Sequence, residues 1–190
     1  MKISVLGSGY VGTTAAACLA ELGHEVTAID IDEEVVASLN AGEAPIHEPG
    51  LDELLTAHAG GNLTATIDYG VVPETDVTFM ALATPSKPDG SIETSIIESA
   101  ATSLGEAIAD KPTTHQVVVK STVVPGTTEN VIAPRIADAA GEDFEIGMNP
   151  EFLREGSAVM DFQEPDKIVL GAETDRARET MRAGYEPLVA

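Results

Sequence analysis

Hydrophobic and polar positions divide this chain into short apolar runs separated by longer amphipathic segments. Continuous apolar runs bounded by turn residues are typical of strands that are buried on both faces. We predict such strands over residues 2–6, 25–31, 76–83, 116–120, 144–148 and 167–170. The run over 116–120 contains three consecutive valines, β-branched residues that fit a pleated sheet.

The longer segments carry apolar residues at helical spacing. We predict helices over residues 11–22, 33–40, 51–59, 94–109, 125–140 and 174–189, the last one interrupted by Gly184 and Pro187. Strands that alternate with helices are joined by right-handed crossovers into a mostly parallel sheet. We therefore expect an α/β fold with a Rossmann-like, doubly wound, mostly parallel sheet.

A glycine-rich turn follows the first predicted strand and opens the first predicted helix. It reads Gly7-Ser8-Gly9-Tyr10-Val11-Gly12. In this pattern the first glycine allows a tight turn, the second lets the backbone approach a pyrophosphate, and the third lets helix and strand pack closely. The helix N-terminus adds free N–H donors for phosphate. We predict a dinucleotide site; the alternative is that the glycines only shape a turn.

The second predicted strand brings Asp30 into position, eighteen residues after Gly12. An acidic side chain here accepts hydrogen bonds from a ribose diol and repels a 2′-phosphate. No Lys or Arg lies close by in the sequence, and Asp32 adds negative charge. We therefore predict NAD rather than NADP as the cofactor, with a merely solvated Asp30 as the alternative.

Four further segments are more specific than the glycine motif. They are Ala44-Pro45-Ile46-His47-Glu48-Pro49-Gly50-Leu51, Ala83-Thr84-Pro85-Ser86, Lys120-Ser121-Thr122-Val123-Val124-Pro125-Gly126-Thr127, and Asn149-Pro150-Glu151-Phe152-Leu153-Arg154-Glu155-Gly156-Ser157-Ala158, followed by Asp161-Phe162 and Pro165-Asp166-Lys167. In this order they resemble the UDP-glucose/GDP-mannose 6-dehydrogenase family over essentially the whole chain. That family oxidises the C6 alcohol of a nucleotide sugar twice, with NAD, to give a uronic acid for polysaccharide biosynthesis.

The resemblance implies a role for each matching residue. Glu151 would be the catalytic carboxylate, and Thr122 would help to position a catalytic water. The cofactor-binding residues would be Gly7, Gly9, Tyr10, Val11, Gly12, Asp30, Thr84, Pro85, Ser121, Thr122 and Glu155. The segment that borders the sugar would comprise Glu151, Phe152, Leu153 and Arg154. No metal is implied.

The chain also departs from the family's pattern. The family's nucleophilic Cys, its catalytic Lys and most nucleotide contacts belong to a later segment that this sequence does not contain. Cys18 lies in an alanine-rich helix without a neighbouring His or cation, so we expect it to be buried and protonated. We expect residues 1–172 to form the NAD-binding domain and residues 173–190 to begin a helix that connects to further domains. The full-length enzyme would be a homodimer, and this chain by itself would be inactive.

Several functions remain open at this point. UDP-glucose is the favoured substrate, and GDP-mannose or a UDP-N-acetylhexosamine is the alternative, because the discriminating residues lie mostly outside this chain. A second hypothesis is a non-catalytic NAD-binding module. A third is a different NAD-linked alcohol or hydroxyacid dehydrogenase, against which the segment 149–158 counts.

Composition narrows the setting. Net charge is −22, from 32 acidic and 10 basic residues. Such a surface repels nucleic acids and anionic membranes. Because 43% of the residues are hydrophobic, disorder is not indicated, and no apolar run reaches membrane-spanning length. We expect a cytoplasmic protein, and we interpret its excess of carboxylates as an adaptation to high salt.

The remaining polar candidates have plain alternatives. The histidines have no metal-ligand spacing and are predicted to be surface or loop residues; they are His24, His47, His58 and His115. Residues 45–51 fit either a simple helix entry or a loop near the cofactor. We expect Lys120 to pair structurally with a carboxylate. Arg154 could contact a phosphate, another subunit or nothing.

Overall fold

The computed structural model describes residues 1–189, and these residues form a seven-stranded sheet. The strands are β1 (Lys2–Leu6), β2 (Glu25–Ile29), β3 (Leu63–Thr66), β4 (Val77–Met80), β5 (His115–Val119), β6 (Phe144–Met148) and β7 (Gly171–Ala172). Their spatial order is β3-β2-β1-β4-β5-β6-β7, with only β7 antiparallel to its neighbour. This order confirms the predicted Rossmann-like, mostly parallel sheet.

Helices cover both faces of the sheet. They are α1 (Tyr10–Glu21), α2 (Glu33–Asn40), α3 (Leu51–His58), α4 (Ser95–Ile108), α5 (Ala133–Ala140), α6 (Ala158–Gln163), α7 (Asp175–Ala183) and α8 (Glu186–Val189). A 3-10 helix (Tyr69–Glu74) precedes β4, and a π-helical turn (Thr128–Ile132) runs into α5. The predicted connecting segment 173–190 thus contains α7 and α8, while Ala190 lies outside the described residues.

Alternation along the strands supplies two hydrophobic cores, one on each face. On one face the alanine-rich helix α1 packs over β1 and β2, in a core that also contains Val118 of β5, and its small side chains let its backbone lie close to the sheet. On the other face Leu104 of α4 packs with Val117 and Val119. Both cores are therefore built largely from aliphatic side chains, as the low aromatic content of 4% requires.

The strand order reverses beside β1. Successive strands β1, β2 and β3 extend to one side, and the chain then returns to place β4 on the other side of β1. At such a switch point the loops diverge and leave a crevice at the carboxyl ends of the strands. Gly7 follows β1 and Ala81 follows β4 at this crevice.

Two strands differ from the sequence-based prediction. No strand is predicted for β3, since it lies at the sheet edge and only Leu63 of its four residues is buried. The strand predicted over 167–170 is wrong. The Asn149 side-chain Nδ2 donates to the Val169 carbonyl at 2.9 Å, and the chain joins the sheet only at β7.

One helix and two histidines also require correction. The helix predicted over 125–140 begins later, because Pro125 and Gly126 form a turn in which Gly126 has a φ of +90°. The surface placement predicted for the histidines is wrong for His24 and His115, which are buried. The His115 ring nitrogens lie 2.7 Å from the Thr78 hydroxyl and 2.7 Å from the Lys111 ammonium, and these two polar contacts compensate for burial of the ring.

Candidate functional site

The glycine-rich loop after β1 packs tightly against the protein on its inner side, whereas its outer side, at Gly9, is open to solvent. A Cβ on Gly7, whose φ is +88°, would lie 2.9 Å from the Ala81 carbonyl oxygen. A Cβ on Gly12 would lie 1.8 Å from the Gly7 carbonyl oxygen. A Cβ on Gly9 would meet no atom of the described residues within 4 Å. The space over Gly9 is therefore where a phosphate group could approach the backbone.

Two polar features of this loop have no hydrogen-bond partner among the described residues. Ser8 is 4% exposed, and its hydroxyl has no hydrogen-bond partner within residues 1–189. No side chain of the described residues caps the N-terminus of α1 at Gly9. Buried hydroxyls are normally hydrogen-bonded, and free N–H groups at a helix N-terminus bind anions. The loop therefore fits the pyrophosphate of a dinucleotide.

Asp30 lies just after β2 and already organises the loop. Its Oδ2 accepts a hydrogen bond from the Ser8 N–H at 2.5 Å, and its Oδ1 accepts from the Asp32 N–H at 3.0 Å. Asp32 in turn caps α2 by accepting from the Glu34 N–H at 2.9 Å. The half-buried Asp30 carboxylate thus lies between the glycine loop and α2, beside a cavity of the crevice.

That cavity has a volume of about 410 Å³ and is bounded by apolar side chains and hydroxyls. Ile31 is 90% exposed and Ile96 is 44% exposed, an unusual state for two isoleucines that face one cavity. Its lining residues are Gly7, Ile29, Asp30, Ile31, Tyr69, Leu82, Ser95, Ile96, Ser99, Ala100 and Ser103. None of these lining residues is a cation. The cavity suits a flat ring such as a purine next to a ribose held by Asp30.

A second recess, of about 280 Å³, lies on the other side of the glycine loop. Its lining residues are Gly9, Tyr10, Val11, Ala81, Leu82, Ala83, Thr84, Lys120, Ser121, Thr122 and Glu151. The Thr84 hydroxyl donates to the Thr122 carbonyl at 2.7 Å. The Ser121 Oγ accepts from the Leu82 N–H at 2.8 Å. These bonds join the ends of β4 and β5 into one wall.

Glu151 reaches this recess from the segment that follows β6. Its Oε2 accepts from the Leu153 N–H at 2.6 Å, so the carboxylate folds back over its own backbone. Phe152, the next residue, is 48% exposed, and the Lys167 ammonium lies 4.4 Å from the centre of its ring. The segment thus presents a carboxylate, an aromatic ring and a cation side by side.

Arg154 is held by an acid of α6. Its guanidinium contacts both oxygens of Asp161, at 2.5 and 3.1 Å, and its backbone N–H lies 2.9 Å from Oδ2. Hydrogen bonds from Arg154 hold the pKa of Asp161 well below its usual range. Together with Phe152 and Lys167, this pair lines an open cavity of about 380 Å³.

Lys120 lies between the recess and the Glu151 segment. Its ammonium is buried and donates to Asn149 Oδ1 at 3.0 Å, and the same oxygen accepts from the Tyr185 hydroxyl at 2.5 Å. Burial lowers the pKa of Lys120 to about 8, while the charge of Glu151 opposes the change. Within the described residues, the expected carboxylate pairing is thus replaced by a hydrogen bond to an amide.

Cys18 lies far inside α1 and is 1% exposed. Burial raises the pKa of its thiol to about 12, and the charge of Glu21 adds to the effect. A thiol in this state is neither ionised at neutral pH nor accessible to a sugar. The prediction that Cys18 is a buried, protonated core residue is confirmed.

The geometry described so far is that of a dinucleotide-binding crevice with a carboxylate at its open end. A sequence model of the UDP-glucose/GDP-mannose dehydrogenase family, NAD binding domain, matches residues 1–189. The chain belongs to this family. The match identifies it as an NAD-binding domain, which confirms NAD as the cofactor.

Individual family members are similar over the whole chain. UDP-glucose 6-dehydrogenase AglM of Haloferax volcanii is 61% identical over 100% of this chain and 45% of its own length. A UDP-glucose dehydrogenase from Pyrobaculum islandicum is 46% identical, with a TM-score of 0.93 over 97% of this chain and 44% of that one. A GDP-mannose dehydrogenase from Pseudomonas aeruginosa is 40% identical, with a TM-score of 0.95 over 98% of this chain and 44% of that one. The chain thus spans less than half the length of these dehydrogenases.

Most residues that the family resemblance singles out lie around the crevice. Gly7 and Asp30 line the larger cavity. The second recess brings together Gly9, Tyr10, Val11, Thr84, Ser121, Thr122 and Glu151. Gly12 packs beneath the loop, and Leu153 lines a small pocket behind Glu151. Pro85 and Glu155 are exposed and line neither space.

Sequence reasoning missed two features of the site. The exposed Ile31 and Ile96 face one cavity although they are far apart in the chain. The sequence feature that could have identified Ile31 is its position directly after Asp30 and before an acidic run. Glu48 was not singled out as a separate residue, yet it is buried and accepts hydrogen bonds from Tyr10 and Gly156. Its position in the quoted segment 44–51 is the signal that could have identified it.

Other kinds of site receive no support. Residues 1–189 hold no group of three or more His, Cys, Asp or Glu side chains arranged for a metal ion. Over the same range, every helix is too short or too polar to cross a lipid bilayer.

Proposed function

We propose that the protein is the cofactor-binding part of an NAD-dependent nucleotide-sugar 6-dehydrogenase that oxidises UDP-glucose to UDP-glucuronate. The observation that carries this proposal is the recess in which the glycine loop, Thr122 and Glu151 meet at the switch point of the sheet. A module that only binds NAD has no need of a carboxylate and a hydroxyl at the open end of the crevice. The 61% identical relative that is named a UDP-glucose 6-dehydrogenase supports the choice of sugar.

The cofactor would span both spaces of the crevice. The adenosine would occupy the cavity beside Asp30, with Ile31 and Ile96 against the purine and the carboxylate on the ribose. The pyrophosphate would lie over Gly9. The nicotinamide end would meet Tyr10, Val11, Thr84, Pro85, Ser121 and Thr122, with Glu155 as a further cofactor contact. NAD supplies the hydride acceptor when it is bound.

The chain's own residues would handle protons and water. Oxidation of an alcohol releases a proton, and oxidation of the resulting aldehyde to an acid consumes water. Glu151 lies at the recess and is placed to move that proton. The Thr122 hydroxyl would orient water without adding charge. Phe152, Leu153 and Arg154 would border the sugar, with Asp161 holding the Arg154 guanidinium in place.

A chimeric enzyme tests the proposal directly. Residues 1–190 replace the matching part of the Haloferax volcanii enzyme, and NADH formation is followed with UDP-glucose, GDP-mannose and a UDP-N-acetylhexosamine. We expect activity with UDP-glucose. Because most residues that discriminate between sugars would come from the Haloferax part, the chimera tests whether residues 1–190 support catalysis, and a folded chimera that binds NAD without forming NADH would support a non-catalytic module. The choice of sugar is tested on the protein's own full-length form, where preference for GDP-mannose or a UDP-N-acetylhexosamine would support the alternative substrates. The unaltered Haloferax enzyme is the control.

Two substitutions in the chimera separate the proposed roles. Glu151→Gln removes the proton acceptor and should lower turnover about a hundredfold or more while NAD affinity stays within about twofold. Cys18→Ala should leave turnover nearly unchanged, because the thiol is buried. Glu106→Gln, a change of the same charge at an exposed position of α4 away from both cavities, is the control. Residues 1–190 alone should bind NAD and form no NADH, and uronic acid formation by them would contradict this assignment.

The resemblance and the composition together suggest a setting. We propose a cytoplasmic homodimer for the whole enzyme, with residues 1–172 as its NAD-binding domain, that supplies uronic acid for polysaccharide biosynthesis. The net charge of −22 and a relative from Haloferax volcanii support adaptation to high salt.

A further inference from the structure

Glu48 is a buried carboxylate to which the crevice described above assigns no role. It lies in the loop before α3, is 4% exposed, and lines neither the cavity beside Asp30 nor the recess beside Glu151. A buried carboxylate is costly unless hydrogen-bond donors surround it. Glu48 receives its donors from two segments that are more than a hundred residues apart.

Both oxygens of Glu48 are occupied. Oε2 accepts from the Tyr10 hydroxyl and from the Gly156 N–H at 2.8 Å, and Oε1 accepts from the Ala158 N–H at 2.8 Å. The Tyr10 hydroxyl also lies 3.2 Å from the Gly156 nitrogen. Burial by itself raises the pKa of Glu48, but the hydrogen bonds outweigh it and hold the pKa below its usual value. The carboxylate is therefore charged at neutral pH.

The two partners belong to the two halves of the site. Tyr10 is the first residue of α1, and its backbone is part of the glycine loop that lines the recess. Gly156 and Ala158 follow the segment that carries Glu151, and Ala158 begins α6. Glu48 thus connects the phosphate-binding loop to the end of the Glu151 segment without lining the recess. The Tyr10 hydroxyl adds direct contacts to the Arg154 carbonyl and the Gly156 nitrogen, both at 3.2 Å.

We infer that Glu48 is a positioning residue that couples the glycine loop to residues 151–158, so that a dinucleotide bound at the loop orders the segment that carries Glu151. A ligand that holds the Tyr10 backbone restricts the hydroxyl, and through Glu48 it restricts the N–H groups of Gly156 and Ala158. Coupling of this kind is reciprocal, so an ordered segment also favours the bound cofactor. The inference rests on the proposed function in one respect, that NAD binds at the glycine loop.

Amide hydrogen exchange, resolved by NMR on residues 1–190 with and without saturating NAD, tests the coupling. In the unaltered protein we expect NAD to slow exchange of the Gly156 and Ala158 amides by about tenfold, which corresponds to roughly 1.4 kcal/mol. In Glu48→Gln one amide loses its acceptor, because the new NH₂ group cannot accept a hydrogen bond. Calorimetric titration should still detect NAD binding, but the slowing should be absent.

A second variant separates coupling from simple stabilisation. Tyr10→Phe keeps both Glu48 bonds to the Gly156 and Ala158 amides but removes the link to α1. We expect the exchange of these amides to stay slow without NAD and no longer to respond to it. Glu53→Gln, an exposed change of equal charge on α3, should respond to NAD as the unaltered protein does.

The outcomes distinguish this inference from the proposed function. If NAD binds but the full tenfold slowing persists in Glu48→Gln or Tyr10→Phe, the inference is wrong and the proposed function stands. The same holds if NAD binds the unaltered protein without slowing exchange at all. If the unaltered protein does not bind NAD, both are overturned. Thermal unfolding of each variant identifies the temperature at which all of them are folded.

Discussion

At the scale of single residues, the polar side chains of the crevice also hold the backbone in shape. Asp30 faces the cavity and at the same time fixes the Ser8 N–H. Ser121 lines the recess and ties down Leu82. A substitution at either position therefore alters the shape of the crevice as well as its chemistry, and conservative replacements with matched controls are needed to separate the two.

Cofactor choice is the first prediction at this scale. We expect NAD to bind at least about tenfold more tightly than NADP, because one unfavourable phosphate contact with Asp30 costs roughly 1.4 kcal/mol or more. Asp30→Asn removes the charge and should narrow that ratio, whereas Glu34→Gln, an exposed change of equal charge, should not. Calorimetric titration with both dinucleotides provides the measurement, and equal affinities in the unaltered protein would contradict the prediction.

The second prediction at this scale concerns the loss of folding stability at acid pH that His115 causes. Burial, together with the positive charge of Lys111, lowers the pKa of His115 to about 3 from 6.5. Below pH 6.5 the unfolded chain therefore binds a proton that the folded protein excludes. The stability that depends on neutral His115 is complete above pH 6.5 and declines as the pH falls toward 3.

Urea unfolding at pH 7.5 and 5.5 measures this loss. We expect the free energy of unfolding to fall by about 1.4 kcal/mol more in the unaltered protein than in His115→Gln. The exposed His47 provides the matched control, since His47→Gln should retain the full pH response. A His115→Gln protein with an unchanged slope would show that other groups cause the acid sensitivity.

At the scale of elements, the loop between β1 and α1 separates packing from binding. Gly7 and Gly12 are required by the protein itself, because a side chain at either position would meet backbone oxygen. Gly9 has an ordinary φ of −74° and faces open space, so the fold does not require a glycine there. A glycine that the fold does not need is best explained by the approach of a ligand.

A pair of alanine substitutions tests this difference. Gly9→Ala should leave the thermal midpoint within a few degrees of the unaltered protein but weaken NAD binding about tenfold or more, because its methyl group occupies the phosphate position. Gly12→Ala should lower the midpoint as well, because its Cβ would lie 1.8 Å from the Gly7 carbonyl oxygen. Differential scanning fluorimetry and NAD titration give both quantities. Tight NAD binding by a folded Gly9→Ala protein would place the pyrophosphate elsewhere.

At the scale of the whole molecule, unbalanced negative charge dominates. The chain has 10 basic and 32 acidic residues, and several of the basic residues already form ion pairs. The pairs include Lys2 with Glu25, Lys87 with Glu93, Arg135 with Glu98, and Arg178 with Asp175. Most carboxylates therefore repel one another across the surface, and this repulsion favours the unfolded chain at low salt.

Added KCl should relieve that repulsion. We expect the thermal midpoint to rise steadily between low salt and about 1 M KCl. At about 1 M salt, ions screen the repulsion between exposed charges that are more than roughly 3 Å apart. A variant with Glu142→Lys and Glu173→Lys, both at exposed positions, should show a higher midpoint at low salt and a smaller gain from KCl. A midpoint that stays flat or falls with KCl in the unaltered protein would remove the interpretation of adaptation to high salt.

Local sequence patterns predicted much of the fold and part of the candidate site. The alternation of apolar runs with helical periodicity predicted the parallel sheet, and the glycine turn followed by Asp30 predicted the dinucleotide site, because both depend on neighbours within about thirty residues. Cys18 was recognisable as a core residue from its alanine neighbours alone. The residues of the Glu151 segment were identified by family resemblance and not by pattern.

Contacts between distant segments were decided only by the tertiary structure. The burial of His115 depends on Thr78 and Lys111, and the role of Glu48 depends on Gly156 and Ala158. A polar side chain is buried only where the fold brings donors and acceptors to it, and the sequence pattern around that side chain does not record partners that lie far away in the chain. The amphipathic pattern therefore determined which elements form, whereas the packing of distant segments against one another decided which polar groups meet.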